Sequence, residues 1–354
     1  MTHIVPPRKW AYIIFAFFFI GTSILSLIFL YQHFGDGTSF LELRKFRYET
    51  LYIIGIMLIM YYVFDALRLF YIIRALDIKI SFLYVLKLVF INIFISNITP
   101  FATGGGFAQI YFLNKKGISI GNSTAATTIR TVIATVFFLI TTPIIIFTEK
   151  SLIDIFSKGG GIVYVFLIIF IYFVLIYICY KFIYRTKIIK GIIFSSFNFL
   201  ERKKLISNRR NKKWSRSLYK EIDTFSNSIK SFAKGEPKYI LLSIGFAIIY
   251  LFTLFYFSVV LINGLGYHIP VISIISFQVL ITFIMYFAIT PGASGIAEGG
   301  YTLIYSNFIK RGDIISLTFT WRFVTVYIGM VIGGIIFYKE MFKSGFPGGY
   351  INAK

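Results

Sequence analysis

The chain has 354 residues, 57% of them apolar and only 14% charged, and its mean hydropathy is +0.79. That composition requires lipid as solvent and excludes soluble enzymes and soluble binding modules. The 36 Lys and Arg against 14 Asp and Glu, a net +22, direct the water-exposed parts toward anionic lipid or an anionic substrate. So much lipid-facing surface does not suit nucleic acid, and no nucleic-acid partner is expected. A single Cys179 in an apolar run and the scattered His3, His33 and His268 provide neither a disulfide framework nor a clustered metal site, so no metal and no cofactor is expected.

The N-terminal PPRKWAYIIFAFFFIGTSILSLIFLY has the basic flank of a signal sequence, but its apolar run is too long and lacks a small-residue cleavage site; it reads as a retained first helix. Runs near the roughly 20 residues needed to cross a bilayer lie at 10–31, 51–73, 123–147, 161–182, 239–262 and 314–338. Two further apolar pieces, 82–98 and 271–289, each end in a Pro/Gly break followed by a short apolar segment, 107–113 and 301–309. These predict broken or re-entrant hairpins, which lipid tolerates only where the irregular backbone is buried in protein or lines a water-filled cavity. The predicted fold is an all-α polytopic membrane protein with six full spans and two broken hairpins.

Residues 183–238 hold 15 Lys and Arg against 4 acids, which places that segment in the cytoplasm. Counting outward puts the N-terminus, Lys115, Lys116 and the C-terminus inside; 148–160 and NGLGYHIP fall outside, with Lys310 and Arg311 outside against the rule. Within the basic segment Leu218, Ile222, Phe225, Ile229 and Phe232 recur at spacings of four and three. Two readings fit: an amphipathic helix on inner-leaflet anionic lipids, or one packed on the cytoplasmic ends of the bundle. The chain then divides into 1–50, an N-terminal helix and outer loop; 51–182, a first repeat and a connecting span; 183–238, the basic loop; 239–340, a second repeat; and 341–354, a tail.

The repeat rests on ITPFATG at 98–104 and ITPGASG at 289–295, with prolines 191 residues apart. Each copy follows a full span and an apolar half-segment and precedes a short Tyr-containing piece and another span. Each last span carries one arginine, Arg130 lying 30 residues after Pro100 and Arg322 lying 31 after Pro291. The first copy enters from outside and the second from inside, so the repeat is inverted, a construction in which broken helices from both halves form a transporter's substrate site.

Thr103, Gly104, Gly105 and Gly106 lead into one short helix, Ser294, Gly295 and Ile296 into the other. Bare amides at a helix start bind anions, which makes both tips candidates for a lipid phosphate; the alternative is that the glycines permit close helix packing. Glu298 is an acid deep in the second break, able to pair with Arg322 or Arg130, bind a cationic headgroup or carry a proton; Gln109 is its nearest counterpart in the first copy. Arg130 and Arg322 approach from opposite faces and are candidate phosphate contacts. Asp65 and Arg68, three apart, read as a local pair, and Asn92 and Asn97 as hydrogen bonders at the first break. No catalytic residues are assigned, because no constellation for covalent chemistry is visible.

NITPFATGGGFAQIYFLNKKGISIGNSTAATTIRT, TPGASGIAEGGYTLIYSNF and WRF at 321–323 resemble the lysylphosphatidylglycerol synthase transmembrane family of flippase-like membrane proteins over about residues 10–340. The chain departs at Gly106 and Phe107, where relatives carry Gln, Glu or Pro, so no polar side-chain role carries over there. The resemblance implies a bacterial cytoplasmic-membrane protein moving a phosphate-containing lipid, such as aminoacylated phosphatidylglycerol, between leaflets. In full-length relatives a separate soluble domain transfers lysine from tRNA; only YKEMFKSGFPGGYINAK and little else follows the last span, so that domain is not expected here. The alternatives are a membrane component of phosphatidylglycerol lysyltransferase and a non-catalytic partner of a separate lipid synthase. An anionic phospholipid or lipid-linked phosphate is the implied partner.

Overall fold

The computed structural model describes residues 46–149, 186–203 and 207–342, with isolated positions at 21 and between 163 and 177. The expected first span at 10–31, nearly all of the span at 161–182, the outer loop at 150–160, Cys179, His3, His33 and the tail beyond 342 lie outside the described residues. Everything regular among the described residues is helical. The helices are α1 Tyr48–Ala75, α2 Phe82–Ile98, α3 Gly104–Lys115, α4 Ile120–Thr148, α5 Thr186–Arg202, α6 Asn208–Lys234, α7 Pro237–Gly264, α8 Val271–Met285, α9 Ile296–Tyr305, α10 Arg311–Arg322 and α11 Ile328–Phe342. A π-helical stretch, Phe323–Tyr327, joins α10 to α11.

Among the described residues four helices are long and apolar enough to cross a membrane: α1, α4, α7 and the α10–α11 rod over Gly312–Met341. They coincide with the spans expected at 51–73, 123–147, 239–262 and 314–338. The apolar α2 and α8, with 17 and 15 residues, reach only about 22–25 Å against a hydrocarbon core of about 30 Å. Each leads into a 3-10 turn, Pro100–Ala102 or Pro291–Ala293, and the chain turns back through the short α3 or α9. Proline ends α2, because it lacks an amide donor and pushes Thr99 into extended backbone at ψ 145°; α8 ends earlier, at Met285, in turns that carry the Phe287 and Ala288 amides to the Ile284 and Met285 carbonyls, before Thr290 (ψ 145°) enters the Pro291 turn.

Local chemistry closes the turns between these elements. At the end of α3 the Gly117 amide donates to the Asn114 carbonyl (2.9 Å) and the Ile118 amide to the Leu113 carbonyl (3.2 Å), a left-handed helix stop that glycine adopts without strain at φ 89°. Ser119 then caps α4 by accepting from the Asn122 amide, so KKGIS is a complete hairpin between α3 and α4.

The long helices pair between two sets, α1–α4 and α7–α11. α1 and α7 run antiparallel along their length: Gly264 lies against Thr50 and Phe46, the Tyr61 and Tyr250 rings stack at 4.9 Å, and Tyr71 meets Phe246 at 5.6 Å. α2 packs on α11, where a Cβ at Gly333 would collide with the Phe90 carbonyl. α8 packs on α4 through Phe283 and Phe138, and the Ser273 hydroxyl donates to the Glu149 carboxylate at 3.0 Å. Each half-length helix therefore lies against a long span of the other set. Close backbone approach at glycine is the usual means of helix packing where lipid offers no hydrophobic drive.

The basic segment forms the α5–α6 hairpin, joined by Lys190–Asp223 and by hydrogen bonds from Asn211 to Asn198 and Glu201. α6 lies on the start of α4. The Gly121 amide donates to Glu221 at 2.6 Å and the Ser228 hydroxyl to Asn122 at 2.6 Å, while Ile229 and Phe232 join the core beneath. Of the two readings of 218–232, the bundle-packed one describes this face of the helix. Leu218 and Trp214 stay exposed on the hairpin.

Candidate functional site

The two breaks meet. The Phe101 amide, in the first turn, donates to the Ile289 carbonyl at the mouth of the second, at 3.3 Å. The turns repeat one unusual backbone step, two successive residues at positive φ directly after proline: Phe101 (55°) and Ala102 (51°) in the first, Gly292 (58°) and Ala293 (57°) in the second. Three of these four are not glycine, and left-handed backbone costs roughly 1–2 kcal/mol for each such residue. Backbone strain of this kind clusters at functional sites, and here it is held twice at matching places.

The tips differ in what their amides meet. At the first, the Thr99 hydroxyl donates to the Ile95 carbonyl (2.8 Å) and accepts from the Gly104 amide (3.1 Å). Thr103, exposed, donates to the Pro100 carbonyl at 3.2 Å and gives α3 no side-chain cap. Among the described residues no side chain accepts from the amides of Gly105 or Gly106. At the second tip, the Gly295 amide already donates to Glu298 Oε2 at 2.7 Å. Ser294 is buried, and its carbonyl accepts from the Thr290 hydroxyl at 2.8 Å. A carboxylate of the chain thus occupies the anion position at the start of α9, whereas the start of α3 has only the neutral Thr99 hydroxyl on its Gly104 amide.

The glycines divide between the two roles considered for them. A Cβ on Gly105 would run into Ser96 and Asn92, and one on Gly104 into Thr99 and Ile95; a Cβ on Gly106 would meet open space. Gly104 and Gly105 are packing residues that let α3 fold back on α2. Asn92 is used by close contact, Asn97 bonds its own helix at the Ile93 carbonyl, and Thr99 makes the hydrogen bond that closes the first break.

Among the described residues five charged side chains are buried: Asp65, Arg68, Arg130, Glu298 and Arg322. Arg322 Nε donates to Glu298 Oε1 at 2.8 Å and its Nη2 to the Gly292 carbonyl at 2.7 Å. Both side chains are sealed from solvent, at 1% and 0% exposure. Arg322 ends α10, and the following π-helical stretch is a defect frequent at functional sites. In the first set, Arg130 Nη1 donates to Gln109 Oε1 (3.0 Å) while Nη2 holds both oxygens of Asp65 (2.8 and 2.6 Å). Gln109 in turn donates to the Leu88 carbonyl. The short-helix side chain meets the long-span arginine in both sets, Gln109 with Arg130 and Glu298 with Arg322. Glutamine carries no charge, so the carboxylate for Arg130 comes from α1.

The local pair expected of Asp65 and Arg68 forms, but Asp65 also anchors Arg130, which sequence reasoning missed. An acid in the middle of an apolar span was the available signal. Arg68 lies over the Tyr250 ring, 4.1 Å from its centroid, and the Tyr250 hydroxyl is 3.0 Å from that of Tyr61, which ties the cluster to α7. Three arginines face two carboxylates, so the ionised set holds one uncompensated positive charge. Arg130 Nε is buried without a hydrogen-bond partner, a costly state that an anionic ligand would relieve. Among the described residues no three His, Cys, Asp or Glu side chains gather as metal ligands.

Residues 12–333 match the family described as the lysylphosphatidylglycerol synthase TM region. The chain is similar to a UPF0104 membrane protein of Archaeoglobus fulgidus, 22% identical over 333 residues that cover 92% of this chain and 97% of the relative. No solved structure matches it.

Proposed function

Because the chain belongs to the lysylphosphatidylglycerol synthase transmembrane family, and is a membrane protein of several apolar helices, we propose that it moves a phosphate-bearing lipid between leaflets, its headgroup passing the two breaks while the acyl tails stay in lipid. The observation that carries this reading is the meeting of the breaks beside a buried charge set with one positive charge to spare. A lipid phosphate supplies the missing anion, and aminoacylated phosphatidylglycerol is one such lipid. The amide of Gly106, beside open space, favours anion approach at the first tip. At the second, Glu298 takes that role and yields it only when Arg322 or Gly295 is given another partner. Movement then alternates between sets, the phosphate competing first for Arg130 and next for Arg322.

The inverted repeat belongs to the same proposal. The antiparallel α1 and α7, the exchange of half-helices onto the other set's spans, and the repeated positive-φ step support two halves related by a two-fold axis in the membrane plane. With α5–α6 on the cytoplasmic side by its basic charge, the first break opens inward and the second outward. Inner-leaflet anionic lipid is then the neighbour of the hairpin's exposed basic residues, and the bacterial cytoplasmic membrane its setting.

Transport of headgroup-labelled phosphatidylglycerol in proteoliposomes tests the reading. Glu298→Gln and Arg322→Ala slow transfer; unchanged transfer in both overturns the site. Lysyl-lipid made from charged tRNA by this chain alone would place it with the transferases instead, and co-purification with a lipid synthase without transfer would make it a partner subunit.

A further inference from the structure

On the side of the bundle that carries α6, a cavity of about 500 Å³ opens where the chain turns from α1 into α2 and from α3 into α4, and none of the five buried charges lines it. Lys79, Lys87 and Lys116 line it together with Ser81, Tyr84 and Leu83, and no carboxylate does. Lys87 is neutralised by Glu340 of α11 at 2.7 Å. Lys116 lies over the Tyr84 ring, 5.0 Å from its centroid, and among the described residues neither Lys116 nor Lys79 has an acidic partner. The Tyr84 hydroxyl is spent on the Phe112 carbonyl at 2.8 Å, so the lysines supply the free donors. Leu83 at the rim is 70% exposed and continues the cavity onto lipid-facing surface. A concave site of this size fits a small ligand, and two unpaired ammonium groups select an anion.

We propose that this cavity binds a phosphate mono- or diester, with Lys79 and Lys116 as its ligands. The site is separate from the breaks and its test reads binding alone, so failure of lipid transport would leave it standing.

The full-length chain in detergent micelles is titrated with dihexanoyl phosphatidylglycerol, inorganic phosphate and, as the uncharged comparison, dihexanoylglycerol. Protection of Lys79 and Lys116 from an amine-reactive label is read against the exposed Lys220. Protection by both phosphates identifies the phosphate as sufficient, and protection by the lipid alone identifies a headgroup site. Solvent-exposed charge pairs contribute modestly, so Lys79→Gln with Lys116→Gln lowers affinity about tenfold, roughly threefold per lysine, while the double arginine variant retains it and controls for folding. Equal protection by dihexanoylglycerol, no protection by either phosphate, or undiminished affinity in the double glutamine variant overturns the proposal.

Discussion

Replacing Arg322 by methionine tests whether the second break is held by charge. The side chain is 1% exposed, and its guanidinium bridges Glu298 and the Gly292 carbonyl. Removal leaves Glu298 fully buried with the Gly295 amide as its remaining donor, an uncompensated charge that costs about 3–5 kcal/mol. At the roughly 2 °C per kcal/mol that suits a protein of this size, the midpoint of thermal unfolding in detergent falls by about 6–10 °C. Adding Glu298→Gln to Arg322→Met removes the orphaned charge, and the double variant recovers to within about 1–2 kcal/mol of the parent. Arg322→Met alone unfolding within a degree of the parent would show that the pair does not carry the break. A double variant as unstable as the single would locate the loss in packing against Trp321 instead.

Gly105→Ala overpacks the α2–α3 contact at Ser96 and Asn92 and costs about 1–3 kcal/mol, whereas Gly106→Ala is neutral in the same unfolding assay; equal losses would refute the packing role. Gly121→Ala drives a methyl into the α6 backbone at Glu221 and Phe225 and detaches that helix, so limited tryptic cleavage at its lysines speeds up severalfold. Ala102→Gly and Ala293→Gly relieve left-handed backbone at φ 51° and 57° and each stabilises by about 0.5–1 kcal/mol net of the glycine entropy cost; a loss at either would mean that its methyl makes a contact worth more than the strain.

Much of this architecture is legible in the sequence because lipid makes apolar length and proline position decisive. The four described spans, the two breaks and the pairing of Glu298 with Arg322 were all within reach. Glu298 lies three residues beyond Gly295, and a carboxylate at that offset reaches back to a helix's first amide by local geometry alone. The Asp65–Arg130 contact was not legible, since it joins helices whose relative rotation is fixed by α1 packing on α7. A segment apolar on every face gives no periodicity from which to read that rotation.

Gln109 explains why Arg130 and Arg322 are held by different partners. At the position where the second set has an acid, the first has a neutral amide that satisfies one arm of Arg130 but none of its charge. Burying a guanidinium without a carboxylate is costly in low dielectric, so with glutamine there Arg130 is held only if an acid arrives from another helix. Asp65 meets that requirement from α1, but it must also neutralise Arg68, and one carboxylate cannot balance two cations. The surplus charge follows from that single neutral residue. Replacing Gln109 with glutamate adds the missing anion 3.0 Å from Arg130 Nη1, so Gln109→Glu stabilises the resting protein while weakening phosphate-lipid transfer. Faster transfer in that variant would place the headgroup elsewhere.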